Sequence, residues 1–482
     1  MIPPKWLSTL FVTVFLAGQG TVAQFQLDLN DPGMLMVYWT GCSVVTNQGF
    51  PAPTESIKST AATTAYNMMA YYNGNETGKE PGKLPGTWWE GGAMFMTLVQ
   101  YWFFTNDSSY NSVIQQGMYY QKGNNDFFPN KHSQYLGNDD QVFWGLAAMT
   151  AAEVNFPEKD DEPSWLSLAQ GVFNTQVPRW DTSTCDGGLR WQIWPYQAGY
   201  TIKNAISNGG LFQLAARLAY YTHNDTYAEW AEKIWDWSAT TPLLREGVWT
   251  IADTTNTEAN CKDHGDMQWT YNYGTYVSGA GYMYNYTKGG DKWKKGIDGL
   301  LGTTFRNFFP QKFENGTIMS EVACEPNQMC DRNQRCFKAF LSTWLAFLTT
   351  IAPYTTDEII PKLQASALGA AQQCSGGDDK KHCGRRWYQE KWDGYKGLEE
   401  QMSALGIFSV QMITHGGDRN KAPLTSDTGG TSKSNPDAGN DPDEKPDVKR
   451  PITTGDRAGA GIVTAIFMGG WIAAVAFMLW GG

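Results

Sequence analysis

The feature that most constrains this chain is an alternation between two kinds of helical segment. Apolar side chains recur at three- and four-residue spacing along Ile57, Ala61, Ala65, Met68 and Tyr72, along Leu211, Leu214, Leu218 and Tyr221, and along Phe340, Trp344, Phe347 and Ile351. That is the stripe of a helix with a buried face. Turn clusters such as YYNGNETGKEPG, YYTHNDT and YNYTKGGD separate the stretches, and period-two alternation of any length is hard to find. Helices are expected to start near Ser56, Trp88, Ser109, Asp139, Ser164, Asn204, Thr226, Asn272, Asp291, Gln334, Thr356 and Leu398.

Every second segment (those at Trp88, Asp139, Asn204, Asn272, Gln334 and Leu398) is rich in Gly, Ala and aromatic residues and poor in charge. A helix that is apolar all round is a buried one. The partners, such as TYAEWAEKIWDW, are amphipathic and belong outside. The buried starts are 51 to 68 residues apart, whereas solenoid repeats are shorter and more alike. The expected fold is therefore all-α, a closed (α/α)6 barrel over residues 56–415. If the inner helices run in one direction, WWEGG, NDDQ, KNAISNG and WTYNYG share one rim. The sequons Asn106, Asn224 and Asn285 then decorate the opposite rim.

The flanks address the compartment. Residues 1–23 hold one cation, Lys5, then an apolar stretch too short to span a bilayer, then Thr21-Val22-Ala23; this is the pattern of a secretory signal peptide. Residues 24–55 are an atypical N-terminal extension, in which the segment from Gly33 to Pro53 has no helical period. Residues 416–452 lack aromatics and nearly balance their charges, which points to a disordered polar stalk. In residues 453–482 a short polar piece precedes an uncharged run from Ala460 to Trp480. Small residues, a spacer and an apolar tail together describe a glycosylphosphatidylinositol (GPI) attachment signal. Five sequons (Asn75, Asn106, Asn224, Asn285 and Asn315) lie in polar turns and fit N-glycosylation on export.

In an oxidising compartment the 8 cysteines should mostly pair. Sequence proximity suggests Cys324 with Cys330 and Cys374 with Cys383, leaving Cys185 for Cys261; Cys42 and Cys336 form a fourth bridge or stay free. With no CxxC pair and only 5 His, no metal site or cofactor is expected. A balance of 37 basic against 48 acidic residues, net charge −11, gives no footprint for nucleic acid.

The sharpest chemical signal is Asn138-Asp139-Asp140-Gln141 at the start of a buried helix. One Asp there is an ordinary cap; two beside a wall of aromatics suggest more. Glycoside hydrolysis needs one ionised and one protonated carboxyl group, roughly 5 Å apart in a retaining mechanism, and neighbours at a helix terminus can meet that. The helix dipole favours an anion, and mutual repulsion raises one proton affinity. Trp88, Trp89, Trp191, Trp194, Trp269, Tyr271 and Tyr273 lie at expected rims where sugar faces can stack. Lys203, Asn204, Asn272 and Gln192 would bond hydroxyls. GxSxG, Walker, HExxH and GxGxxG patterns are not found.

YLGNDDQVFWG, TIKNAISNGG, QWTYNYG, WWEGGAMF and CFKAFLSTWLA, taken together, resemble glycoside hydrolase family 76, and in particular its fungal, GPI-anchored branch. The resemblance covers most of residues 56–413. It implies an (α/α)6 fold and retaining attack on α-1,6-linked mannose, with Asp139 as nucleophile and Asp140 as general acid/base. The family's cleft falls on Lys203, Asn204, Tyr271, Asn272 and Gly274, less securely on Asp266; Trp88, Trp89, Gln141, Trp191 and Trp269 complete the candidate substrate-binding set. For the fungal branch it implies transglycosylation, from α-mannan or a GPI-protein glycan to a wall glucan acceptor, with the outer membrane leaflet reached through a GPI lipid. The segment from Gly33 to Pro53 departs from the family, as a lineage extension or a retained intron, and Cys336 stands where the family would have Ser. Two rival readings remain: a catalytically silent carbohydrate-binding wall protein, and another barrel glycosidase or a polysaccharide lyase.

Overall fold

The computed structural model describes residues 27–29, 53–263, 265, 267–415, 421–440 and 454–480. In chain order the helices of the folded body are α1 (Pro53–Met69), α2 (Trp89–Thr105), α3 (Asn111–Tyr120), α4 (Asn138–Glu153), α5 (Trp165–Gln176), α6 (Ala205–Thr222), α7 (Asp225–Ala239), α8 (Thr270–Tyr286), α9 (Asp291–Phe308), α10 (Phe337–Ile351), α11 (Thr356–Gln372) and α12 (Leu398–Ser409). A short antiparallel pair, β1 (Ile202–Asn204) and β2 (Thr254–Asn256), sets Lys203 opposite Thr255. A last helix, α13 (Thr454–Trp480), has no buried residue.

Helices α2, α4, α6, α8, α10 and α12 each pack against the next, and α12 returns to α2, so the ring closes. The odd-numbered helices α1 to α11 pack outside it. This is the (α/α)6 barrel expected from the alternation. The inner helices hold small residues where a neighbour presses in: a Cβ on Gly92 would lie 2.8 Å from the Trp144 ring, and one on Gly274 2.5 Å from Trp344. The outer α9 buries one stripe only, through Trp293, Ile297, Leu300, Leu301 and Phe308. Large rings fill the core, Trp144, Trp165 and Trp235 fully buried among them.

Among the described residues three disulfides hold the loops: Cys185–Cys261, Cys324–Cys330 and Cys374–Cys383, the three pairs expected. Among the described residues Cys336 is a free, buried thiol; Cys42 lies outside them. So do the signal-peptide residues and nearly all of residues 24–52.

One expectation needs correction. Residues 421–440, assigned to a solvated stalk, lie along the barrel wall as an ordered strap. Leu424 N–H donates to Glu153 O at 2.9 Å and Ser426 N–H to Tyr221 O at 3.0 Å. Asn174 Nδ2 donates to Pro436 O at 2.7 Å and Gln170 Nε2 to Ser434 Oγ at 2.8 Å. A segment without aromatics needs no core of its own when it satisfies its backbone on a wall already built. Residues 416–420 and 441–453 lie outside the described part.

Candidate active site

The N-terminal ends of the inner helices meet at one rim, around a cleft of about 410 Å³ lined by Trp89, Asp139, Asp140, Phe143, Trp191, Gln192, Asn204, Asp253, Trp269, Tyr271, Asn333 and Phe337, with neighbouring side chains. Asp139 and Asp140 stand in the first turn of α4. Asp139 Oδ1 accepts the backbone N–H of Asp140 at 3.0 Å, and Asn204 Nδ2 reaches Asp139 Oδ2 at 3.5 Å. Asp140 Oδ2 accepts the Gly137 N–H at 2.6 Å. Gly137 has to be glycine for space: a Cβ there would sit 2.4 Å from Asp139 Oδ1 and 3.0 Å from Trp191 O.

Burial raises the proton affinity of both carboxyl groups. It pushes Asp140 up to about 6, while burial and the Asp140 charge hold Asp139 well above the ordinary carboxylate range. Two facing carboxyls of this kind titrate as a pair. Since the charge on one raises the proton affinity of the other, the two lose their protons in separate steps, and between those steps the cleft holds one base and one acid.

A third carboxyl, Asp253, faces them from the segment that leads into β2. Asn272 Nδ2 donates to its Oδ1 at 2.9 Å, and burial raises its proton affinity. Sequence reasoning missed it: Asp253 comes beside Asn204 only through the pairing of β2 with β1, which no local pattern in the chain announces. The Tyr271 ring stacks on Phe337 with centroids 3.8 Å apart. Burial and the Asp253 and Asp139 charges push its hydroxyl well up. Arg332 fixes the far wall: it pairs with Glu90 at 2.9 Å and Glu399 at 2.8 Å. Next to it, Asn333 Oδ1 accepts the Trp89 indole N–H at 3.2 Å.

Of the candidates read from sequence, Asp139, Asp140, Trp89, Trp191, Gln192, Asn204, Trp269 and Tyr271 meet in this cleft. Others do not. Trp88 packs on Trp144 inside the core and gives its indole N–H to Gln121 at 2.8 Å. Lys203 is fully buried, pairs with Asp181 at 3.4 Å and donates to the carbonyls of Asp181, Thr184 and Gly187. Gln141 is buried beneath the pair, bonded to Asp126 O and Thr175. Asn272 stands behind Asp253, and Gly274 serves packing. Trp194 lies outside the lining and Tyr273 is in the core. Adjacent residues on a strand point to opposite faces, which separates Lys203 from Asn204; on a helix, neighbours do not share a face, which separates Tyr271 from Asn272. Asp266 lies outside the described residues. All five sequon asparagines are exposed. Asn106 ends α2, Asn224 follows α6 and Asn285 sits in the last turn of α8, at helix ends remote from the cleft rim.

A family model described as Glycosyl hydrolase family 76 matches residues 56–427. Mannan endo-1,6-alpha-mannosidase DCW1 of Saccharomyces cerevisiae is 42% identical, over 88% of this chain and 93% of that protein. The crystal structure of Dfg5 from Chaetomium thermophilum in complex with glucosamine superposes with a TM-score of 0.75 at 44% identity, covering 80% of this chain and 96% of that one. An inactive variant of an α-1,6-mannanase from Salegentibacter sp. HEL1_6, in complex with α-1,6-mannotriose, shares the fold at 16% identity and a TM-score of 0.58, over 74% of this chain and 99% of that one. The chain belongs to glycosyl hydrolase family 76.

Proposed function

We propose that the protein is a retaining endo-α-1,6-mannosidase or transglycosidase, acting on the α-1,6-linked mannose of mannan or of a GPI-protein glycan in fungal wall biogenesis. The observation that carries the reading is the placement of two neighbouring carboxyl groups, Asp139 and Asp140, in the first turn of α4 and in the lining of the cleft. With substrate in place the proton that Asp139 favours in the empty cleft has to pass to Asp140; Asp139 then attacks the anomeric carbon as the glycosidic C–O bond breaks, and Asp140 gives its proton to the departing oxygen. The Asp139–sugar ester then yields to water or to a sugar hydroxyl, whose proton returns to Asp140. Trp89, Trp191, Trp269 and Tyr271 frame the sugar; Asn204 and Asp253 reach its hydroxyls. The names of the relatives support the same linkage here.

The anchored, exported setting belongs to this proposal too. Helix α13 spans 27 residues and reaches a mean hydropathy of 2.2, which fits the apolar part of a GPI attachment signal. The protein then works at the outer leaflet or in the wall, with a wall glucan as acceptor and the glycans of Asn106, Asn224 and Asn285 on the rim away from the cleft.

The test is product analysis with α-1,6-mannohexaose, alone and with a β-glucan oligosaccharide. Shorter mannosides alone, and a mannosylated glucan in the mixture, are expected. Unsaturated uronides from polyuronate with no turnover of the mannoside would overturn the reading in favour of a lyase.

A further inference from the structure

Next to the cleft, residues 132–135 and 194–196 build a ledge of aromatic rings tied down by their polar ends. The Trp194 indole N–H donates to Ser133 O at 2.7 Å, and the Tyr196 hydroxyl donates to Gln134 O at 3.0 Å. The Tyr135 hydroxyl bonds with Nδ1 of His132, whose Nε2 meets Glu80. The rings of Trp194 and Tyr196 are parallel to within 3°, with centroids 6.4 Å apart.

Tyr135 is nevertheless 50% exposed and Tyr196 38%. A surface tyrosine ordinarily lays its ring on the protein and keeps its hydroxyl in water. Here the Tyr135 hydroxyl is held by His132 in a partly buried bond and the Tyr196 hydroxyl by a backbone carbonyl at the surface, so both exposed side chains are fixed in place. The ledge is also rigidly joined to the catalytic segment: Asn138 N–H donates to Trp191 O at 2.9 Å, and Gly137 pairs with Gln192. Trp191 lines the cleft, and Trp194 follows three residues on, so the ledge continues the cleft wall.

We infer that this ledge is an outer subsite, on which hexose units beyond those held in the cleft lay their flat C–H faces against the Tyr135, Trp194 and Tyr196 rings. Rings fixed before binding lose little freedom when a sugar arrives, and each stacked ring adds a modest increment. The inference rests on the proposed endo-acting function, because an enzyme cutting inside a chain must hold sugars on both sides of the cut.

The experiment compares kcat/KM on α-1,6-mannotriose and α-1,6-mannohexaose for the parent, Tyr196→Ala, Tyr135→Ala and Tyr196→Phe. In the alanine variants the hexaose-to-triose ratio should fall about tenfold for a lost stacking contact of ordinary strength. Tyr196→Phe, which keeps the ring, should retain most of the parent ratio. An unchanged ratio in both alanine variants, or an equal fall on both substrates, overturns the ledge alone. A parent that turns over neither mannoside overturns the proposed function and the ligand of the ledge together.

Discussion

The backbone N–H of Gly137 holds Asp140 Oδ2 at 2.6 Å, and the missing side chain of Gly137 leaves room for the other half of the pair, Asp139. A methyl group at 137 would stand 2.4 Å from Asp139 Oδ1 and 3.0 Å from Trp191 O, so either the pair or the Trp191 loop must shift. A displacement of about 1 Å in reacting groups costs about a hundredfold in rate. Gly137→Ala should therefore lower kcat by about a hundredfold while the thermal midpoint moves little. Steady-state kinetics beside calorimetry checks this.

Glu153 and Arg217 meet at 2.6 Å deep in the ring, both all but fully buried, with the Tyr282 hydroxyl on Glu153 at 3.1 Å. Removing one partner of such a pair strands the other's charge. Arg217→Ala should cost about 3–5 kcal/mol, read by urea unfolding, and the double variant Arg217→Met/Glu153→Met should recover part of it.

Glu321 caps the start of α8, accepting from Thr270 Oγ1 at 2.6 Å, and burial pushes it up to about 8. Its folded affinity for a proton thus exceeds that of the unfolded chain. The folded state carries the extra proton between about pH 4.5 and 8, and stability falls as pH rises across that window. Glu90, also pushed up to about 8 by burial, adds a fall in the same direction. Glu321→Gln removes one of these titrations and leaves the other raised carboxyls as they are. Its thermal midpoint relative to the parent should improve by several degrees between pH 5 and pH 8; scanning calorimetry at both values checks it.

The strap at residues 421–440 supplies hydrogen bonds to α4, α5 and α6, among them Leu166 N–H to Ser432 Oγ at 2.8 Å. Net gains of about 1 kcal/mol apiece, partly offset by the entropy of ordering the strap, translate into a fall of roughly 5 °C when it is removed. Chains ending at His415 and at Asn440 should differ by that amount in thermal midpoint and little in activity at low temperature.

The barrel was legible because its period is long and chemically marked. The starts at Asp291, Thr356 and Leu398 match α9, α11 and α12 to the residue, and the rest fall within three residues. Asp139 and Asp140 were legible because two acids at one helix start exceed what capping needs. What was lost is orientation between neighbours: Trp88 and Trp89, Lys203 and Asn204, and Tyr271 and Asn272 each look like one cluster in sequence, yet each pair splits between wall and cleft. Asp253 was lost because its position depends on a pairing of two three-residue strands far apart in the chain. The strap was misread because composition reports whether a segment can fold alone, not whether a finished surface will take it.

The central claim is that Asp139 and Asp140 act as nucleophile and acid on an α-1,6-mannosidic bond. It is tested most directly by following the first-formed anomer from α-1,6-mannotetraose by proton NMR, for the parent, Asp139→Asn and Asp140→Asn. The account predicts the α-anomer first from the parent and a rate lowered by at least about a thousandfold in each variant. A β-anomer first, or either variant turning over like the parent, would contradict it.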